Sequence, residues 1–170
     1  MIDCLMAMFI HLAPEKRAKA IVRNGLRLSR AIARRVRGIF AMPVTRNYAV
    51  SHQWLRELKR GGQRTFVAVH FRVPDDLLVQ VGHYGRTQAA MTASEAVAVI
   101  LRAGDAEGYE VVIHRTILPS EIHAVREVRQ VLGWRYHPGA HGKRPCGCPV
   151  CQPPGSIRSR TLRERFEEGD

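Results

Sequence analysis

The chain has 170 residues and a mass of 19.2 kDa, the size of one ordinary domain with a short appendage. With 45% hydrophobic residues it can bury a core, which excludes wholesale disorder, and it lacks the ~18 consecutive apolar residues of a membrane span. Lys and Arg outnumber Asp and Glu by 27 to 15, and the net charge of +12 makes a polyanion, nucleic acid above all, the expected partner.

Residues 1–10 are apolar but contain Asp3 and lack a basic leader. They read as a first core strand rather than a signal peptide, and a cytoplasmic location is expected. Phe9-Ile10-His11 ends this strand. Pro14 suits the first turn of a helix begun by Glu15, with Ala18, Ile21 and Val22 as its apolar stripe and Asn24-Gly25 as its stop. A second basic, helix-like stretch runs from Leu28 to Val36; residues 15–37 together hold nine Lys or Arg against one acid. Ile39 to Met42 reads as a strand closed by Pro43. Asn47 to Lys59 has the spacing of an amphipathic helix, with Trp54, Leu55 and Leu58 inward.

Thr65 to Val73 alternates as a strand does, and residues 79–87 suggest strand and turn around Gly82 and Gly85. Thr92 or Ser94 opens a helix to Leu101. Tyr109 to Leu118 is the most β-branched run and reads as a strand; Pro119-Ser120 then turns it into a helix from Glu121 to Leu132. The pattern predicts an α+β domain over residues 1–133 with five or six strands. Residues 134–170 form a Cys- and His-rich module with a basic tail, where Gly, Pro, Cys and His dominate 137–155.

That module carries one chemical motif. Cys146, Cys148 and Cys151 crowd into six residues, with His141 and His137 shortly before them. Three thiolates and one imidazole suit a closed tetrahedral zinc site, and His141 is the first choice for the fourth ligand. Cys4, alone in the apolar start, reads as a small buried hydrophobe.

A second pattern is spread along the chain. His11-Leu12-Ala13 is followed by a helix ending in Asn24-Gly25-Leu26. Gly38-Ile39-Phe40-Ala41 forms a later strand, and Gly108-Tyr109-Glu110-Val111-Val112 opens another that leaves through Ile117-Leu118-Pro119-Ser120-Glu121-Ile122. In order and spacing these segments, over roughly residues 8–130, resemble the motifs of the ADP-ribosyltransferase superfamily. The resemblance is to its His–Tyr–Glu branch, which includes diphtheria toxin and the poly(ADP-ribose) polymerases. It implies split, mixed or antiparallel sheets with flanking helices, and transfer of ADP-ribose from NAD.

By that resemblance Glu110 would stabilise the oxocarbenium-like sugar that forms as the bond to nicotinamide breaks. His11 would hydrogen-bond the ribose of the adenosine half, and the backbone of Leu12 would hold the nicotinamide amide. Phe40 would pack on the nicotinamide ring, and Tyr48 or Ser51 would line the same pocket. Three residues depart from the family pattern. Phe40 stands where a Tyr is usual, and Leu12 where a Gly is usual. Gly108 occupies the position of the acid that arginine-specific relatives carry.

The expected function is therefore NAD-dependent modification of DNA or RNA, in the manner of a toxin or defence effector that a protein antidote could restrain. The alternatives are an RNA 2′-phosphotransferase of the same superfamily and a non-catalytic, zinc-stabilised nucleic-acid-binding protein. In the last of these, His11 and Glu110 would be structural.

Overall fold

The structure, a computed structural model, describes residues 6–31, 36–59, 62–83, 86–103, 106 and 108–130. Strand β1 (Met6–Pro14) runs through its centre. Successive side chains of a strand point to opposite faces. Ala7, Phe9 and Ala13 accordingly enter the main core, while Ile10 and Leu12 enter a smaller cluster with Leu55, Phe66 and Ala68. Strand β4 (Phe66–Pro74) is likewise covered on both faces, with Phe66 to Phe71 all buried. The two pair antiparallel along their whole lengths, and the rings of Phe9 and Phe71 stack at 6.1 Å between centroids.

The remaining strands are β2 (Ser29–Ala31), β3 (Val36–Pro43), β5 (Leu78–His83), β6 (Ala89–Thr92), β7 (Tyr109–Ile113) and β8 (Ile122–Glu127). They form one sheet in the order β6-β5-β7-β3-β1-β4-β8, with β2 paired to β3, and the pairings are antiparallel. The helices are α1 (Ala18–Asn24), α2 (Tyr48–Ser51), α3 (Leu55–Lys59) and α4 (Ala93–Arg102). Thr92 caps α4: its hydroxyl accepts from the Glu95 amide at 3.3 Å while the Glu95 carboxylate accepts from the Thr92 amide at 2.8 Å. Ala93, Ala96 and Ile100 then sink into the main core.

Gly25 ends α1 at φ 76°, where an added Cβ would lie 2.1 Å from the Ile117 carbonyl oxygen. That close approach lets Leu26 and Ile117 exchange backbone hydrogen bonds of 2.9 and 3.0 Å, tying the α1 exit to the segment after β7.

The α+β class is as expected, but several elements differ. There are eight strands among the described residues rather than five or six. Residues 122–127 form edge strand β8 instead of a helix: a single 3-10 turn at Pro119–Glu121 follows β7, and β4 then offers an open edge to pair with. The helix expected over 47–59 is two short helices broken at residues 52–54, because Gln53 and Trp54 turn to partners far away in sequence. Part of the stretch read as helix from 28 to 36 is β2, paired to β3. Val22, placed in the apolar stripe of α1, is 54% exposed.

Candidate active site where β1, β3 and β7 meet

β3 pairs with β1 through only two residues, Phe9 with Pro43 and Ile10 with Met42, before it joins β7. His11 sits where that ladder stops. Its Nδ1 lies 2.8 Å from the Phe40 carbonyl oxygen. A carbonyl only accepts, so Nδ1 carries the proton and Nε2 keeps a lone pair. Burial pushes the His11 pKa below its ordinary value; the Phe40 bond offsets part of this, and the Arg17 charge adds to the lowering. The imidazole is therefore neutral at pH 7. Leu12 is buried beside Leu55 and Phe66, on the opposite face of β1 from His11. The bulk that stands where the resembled family carries a glycine is thus turned away.

Phe40 is half-buried on β3 and pairs with Val112 of β7. Cross-strand partners share a face, as do residues two apart, so Phe40, Val112 and Glu110 lie on one face of the sheet. Glu110 is 6% exposed, and its Oε1 accepts a 2.9 Å hydrogen bond from Gln88 Nε2. Its partner on β5 is Gly82. A Cβ at Gly82 would lie 2.9 Å from Gln88 Cγ, so the missing side chain is what lets Gln88 lie across β5 toward the carboxylate.

The segment entering β7 is held from the break between α2 and α3. Gln53 is fully buried, and its Nε2 donates to the carbonyls of Val50 and Ala106 at 3.1 and 3.2 Å. Its Oε1 accepts from the Gly108 amide, and Trp54 Nε1 donates to the Tyr109 carbonyl at 2.8 Å. Two consecutive side chains thereby fix the backbone on the approach to Glu110. Gly108 adopts φ 85°, and an added Cβ would lie 2.3 Å from His83 Nε2. The His83 ring meets Tyr109 edge-on at 5.7 Å.

Comparisons of the chain with protein families, curated proteins and solved structures find no match.

The other expected site residues divide in two. Ser51 is buried in α2, with its hydroxyl 2.9 Å from His52 Nδ1 and 3.3 Å from the Asn47 carbonyl oxygen; Tyr48 begins the same helix. The expected zinc ligands Cys146, Cys148, Cys151 and His141 lie outside the described residues. Among the described residues, no group of three or more His, Cys, Asp or Glu is placed to hold a metal. No described helix is long and apolar enough to cross a membrane.

Sequence reasoning missed Gln88 and Gln53 and took Trp54 only as core. A glutamine has no diagnostic spacing, and the Ala106 and Tyr109 carbonyls that Gln53 and Trp54 reach are more than fifty residues away. The one available signal was Gly82 inside strand β5, since an interior strand glycine marks a close approach.

Proposed function

We propose that this chain is an ADP-ribosyltransferase, with NAD as its substrate and nucleic acid as its acceptor. The supporting observation is that His11, Phe40 and Glu110 lie on three adjacent strands with Phe40 as their link. Its carbonyl binds His11, and its ring shares a face with Glu110.

The residues fit the chemistry. Neutral His11 offers Nε2 as an acceptor for a ribose hydroxyl. Phe40 supplies a ring face for nicotinamide but no hydroxyl. Gln88 orients the Glu110 carboxylate, whose charge, in a site shielded from water, opposes the positive charge that develops on the ribose as the glycosidic bond breaks. The Gln53–Trp54 clamp holds the strand that aims it. An acid at position 108 would drive its Cβ into His83, which disfavours an arginine acceptor of the kind modified by relatives with an acid there. The +12 charge favours a polyanionic acceptor instead. The buried, hydrogen-bonded Glu110 also favours this reading over the 2′-phosphotransferase branch, whose pocket relies on basic residues.

The test is incubation of the full chain with adenylate-labelled NAD and separate pools of RNA, single-stranded DNA, duplex DNA and cell protein. Label is expected in a nucleic-acid pool, falling by about 10²–10³-fold in Glu110→Gln. Absence of both label and NAD binding would sink the proposal and leave His11 and Glu110 as structural residues.

A further inference from the structure

NAD bound with its adenosine ribose at His11 and its nicotinamide at Phe40 has a charged pyrophosphate joining the two halves. None of His11, Phe40, Gln88 and Glu110 supplies a positive charge to meet it, since the His11 imidazole is held neutral. Cations are plentiful nearby in sequence, with nine Lys or Arg over residues 15–37, so position has to decide among them.

A 3-10 turn, Glu15–Arg17, leads from β1 into α1. The Glu15 amide pins it by donating to the Thr65 carbonyl at 3.1 Å. Ala18 and Ile21 then pack into the main core, which Ala13 of β1 and Val69 of β4 also enter. His11 lies two residues from Ala13 and pairs with Val69, so it shares the face of β1 that α1 packs toward. Arg17 immediately precedes Ala18 and is thereby carried to the His11 face. Lys16, Arg17, Lys19 and Arg23 are all exposed, yet Arg17 is the one of the four whose charge acts on the His11 ring. The Arg17 side chain has no ion pair or hydrogen bond among the described residues.

We infer that Arg17 is the residue that binds the pyrophosphate of NAD, an assignment that rests on the transferase reading. A ribose held at His11 joins the pyrophosphate through its 5′ carbon, so the anion lies one sugar away from the imidazole. That is where a cation belongs if it acts on His11 without bonding to it. Arginine suits a phosphate partner because its guanidinium fork can bind two oxygens at once. The same charge has a second use. It opposes protonation of His11 and so preserves the Nε2 lone pair that accepts from the ribose.

The experiment titrates the full chain with NAD, ADP and adenosine and compares Arg17→Gln with Lys16→Gln. Each variant takes the net charge from +12 to +11, since each removes one cation, and the two positions are adjacent and exposed. Arg17→Gln is expected to raise Kd for NAD and ADP about tenfold or more and to leave adenosine unchanged. Lys16→Gln should move all three by less than about twofold. In Arg17→Gln the acid loss of NAD affinity should also set in at higher pH, because His11 no longer faces the charge that opposes its protonation. Equal weakening by Lys16→Gln, or of adenosine as much as ADP by Arg17→Gln, would overturn the inference. A wild-type chain that binds NAD, with Arg17→Gln binding it as tightly, would overturn this inference and leave the transferase reading standing. A wild-type chain that binds neither NAD nor ADP would overturn both. Circular dichroism checks folding; if Arg17→Gln does not fold, Arg17→Lys, which keeps the charge and loses the fork, gives the same comparison of ADP with adenosine at a smaller effect.

Discussion

The two flanks of β1 are built to different ends. On one, β4 pairs with all nine residues, from Met6 with Pro74 to Pro14 with Phe66. On the other, β3 stays for two pairs and leaves. A finished ladder consumes its backbone donors and acceptors and leaves none for a ligand. On the open flank, a carbonyl of β3 is met by the ring of His11 instead, and that ring keeps a second nitrogen for other work. One strand thus serves as scaffold along one edge and borders the candidate site along the other.

Substitutions on each flank should separate the two roles. Phe71→Ala on the closed flank should cost about 3–5 kcal/mol in urea unfolding, while transfer per folded molecule stays the same. If that variant does not fold, Phe71→Leu should show the same pattern at under ~1.5 kcal/mol. Gln53→Ala comes next, at about 2–3 kcal/mol, because it leaves the Gly108 amide and the Ala106 carbonyl unpaired. Unlike Phe71→Ala, it should also lower kcat for nicotinamide release with little change in KM; an unaltered kcat would make the clamp pure scaffold. Trp54→Phe retains the ring and loses one hydrogen bond, so thermal melts should show a loss of about 1 kcal/mol with a smaller change in kcat.

The mildest effect is expected from pH. His11 has a pKa below the ordinary 6.5, so the unfolded chain takes up this proton first as pH falls. Its contribution to stability is complete above 6.5, declines as pH drops toward the folded value, and is constant below that. Titrating NAD against the protein should show affinity flat at neutral pH and falling in the lower part of that window, where protonation removes the Nε2 lone pair. The acid limb should vanish in His11→Asn.

The elements that announced themselves in the sequence are those where local pattern and tertiary demand coincide. Thr65 to Val73 alternates and is a strand, and Thr92 with Glu95 marks the start of α4. Residues 122–127 mislead because Ile122, Val125 and Val128 are spaced as on a helix, and only the open edge of β4 decides otherwise. The candidate site drew its residues from motifs that span several positions, at His11, Phe40 and Glu110. It was illegible where one side chain reaches a distant backbone group. Gln53 looks like any polar residue on a helix until residues 106–108 come down beside it.

The place of β7 in the sheet has a consequence for how the molecule is made. β7 enters between β5 and β3, both of which precede it in the chain, so the strand carrying Glu110 fills a central gap late in synthesis. Until it arrives, β3 and β5 expose unpaired edges that invite association with other chains, and pairing so remote in sequence closes slowly. A ribosome-bound chain that has not yet reached residue 113 has no Glu110 strand to insert. Under the proposed function, NAD chemistry would begin only after that strand is in place, so partly made copies could not consume NAD.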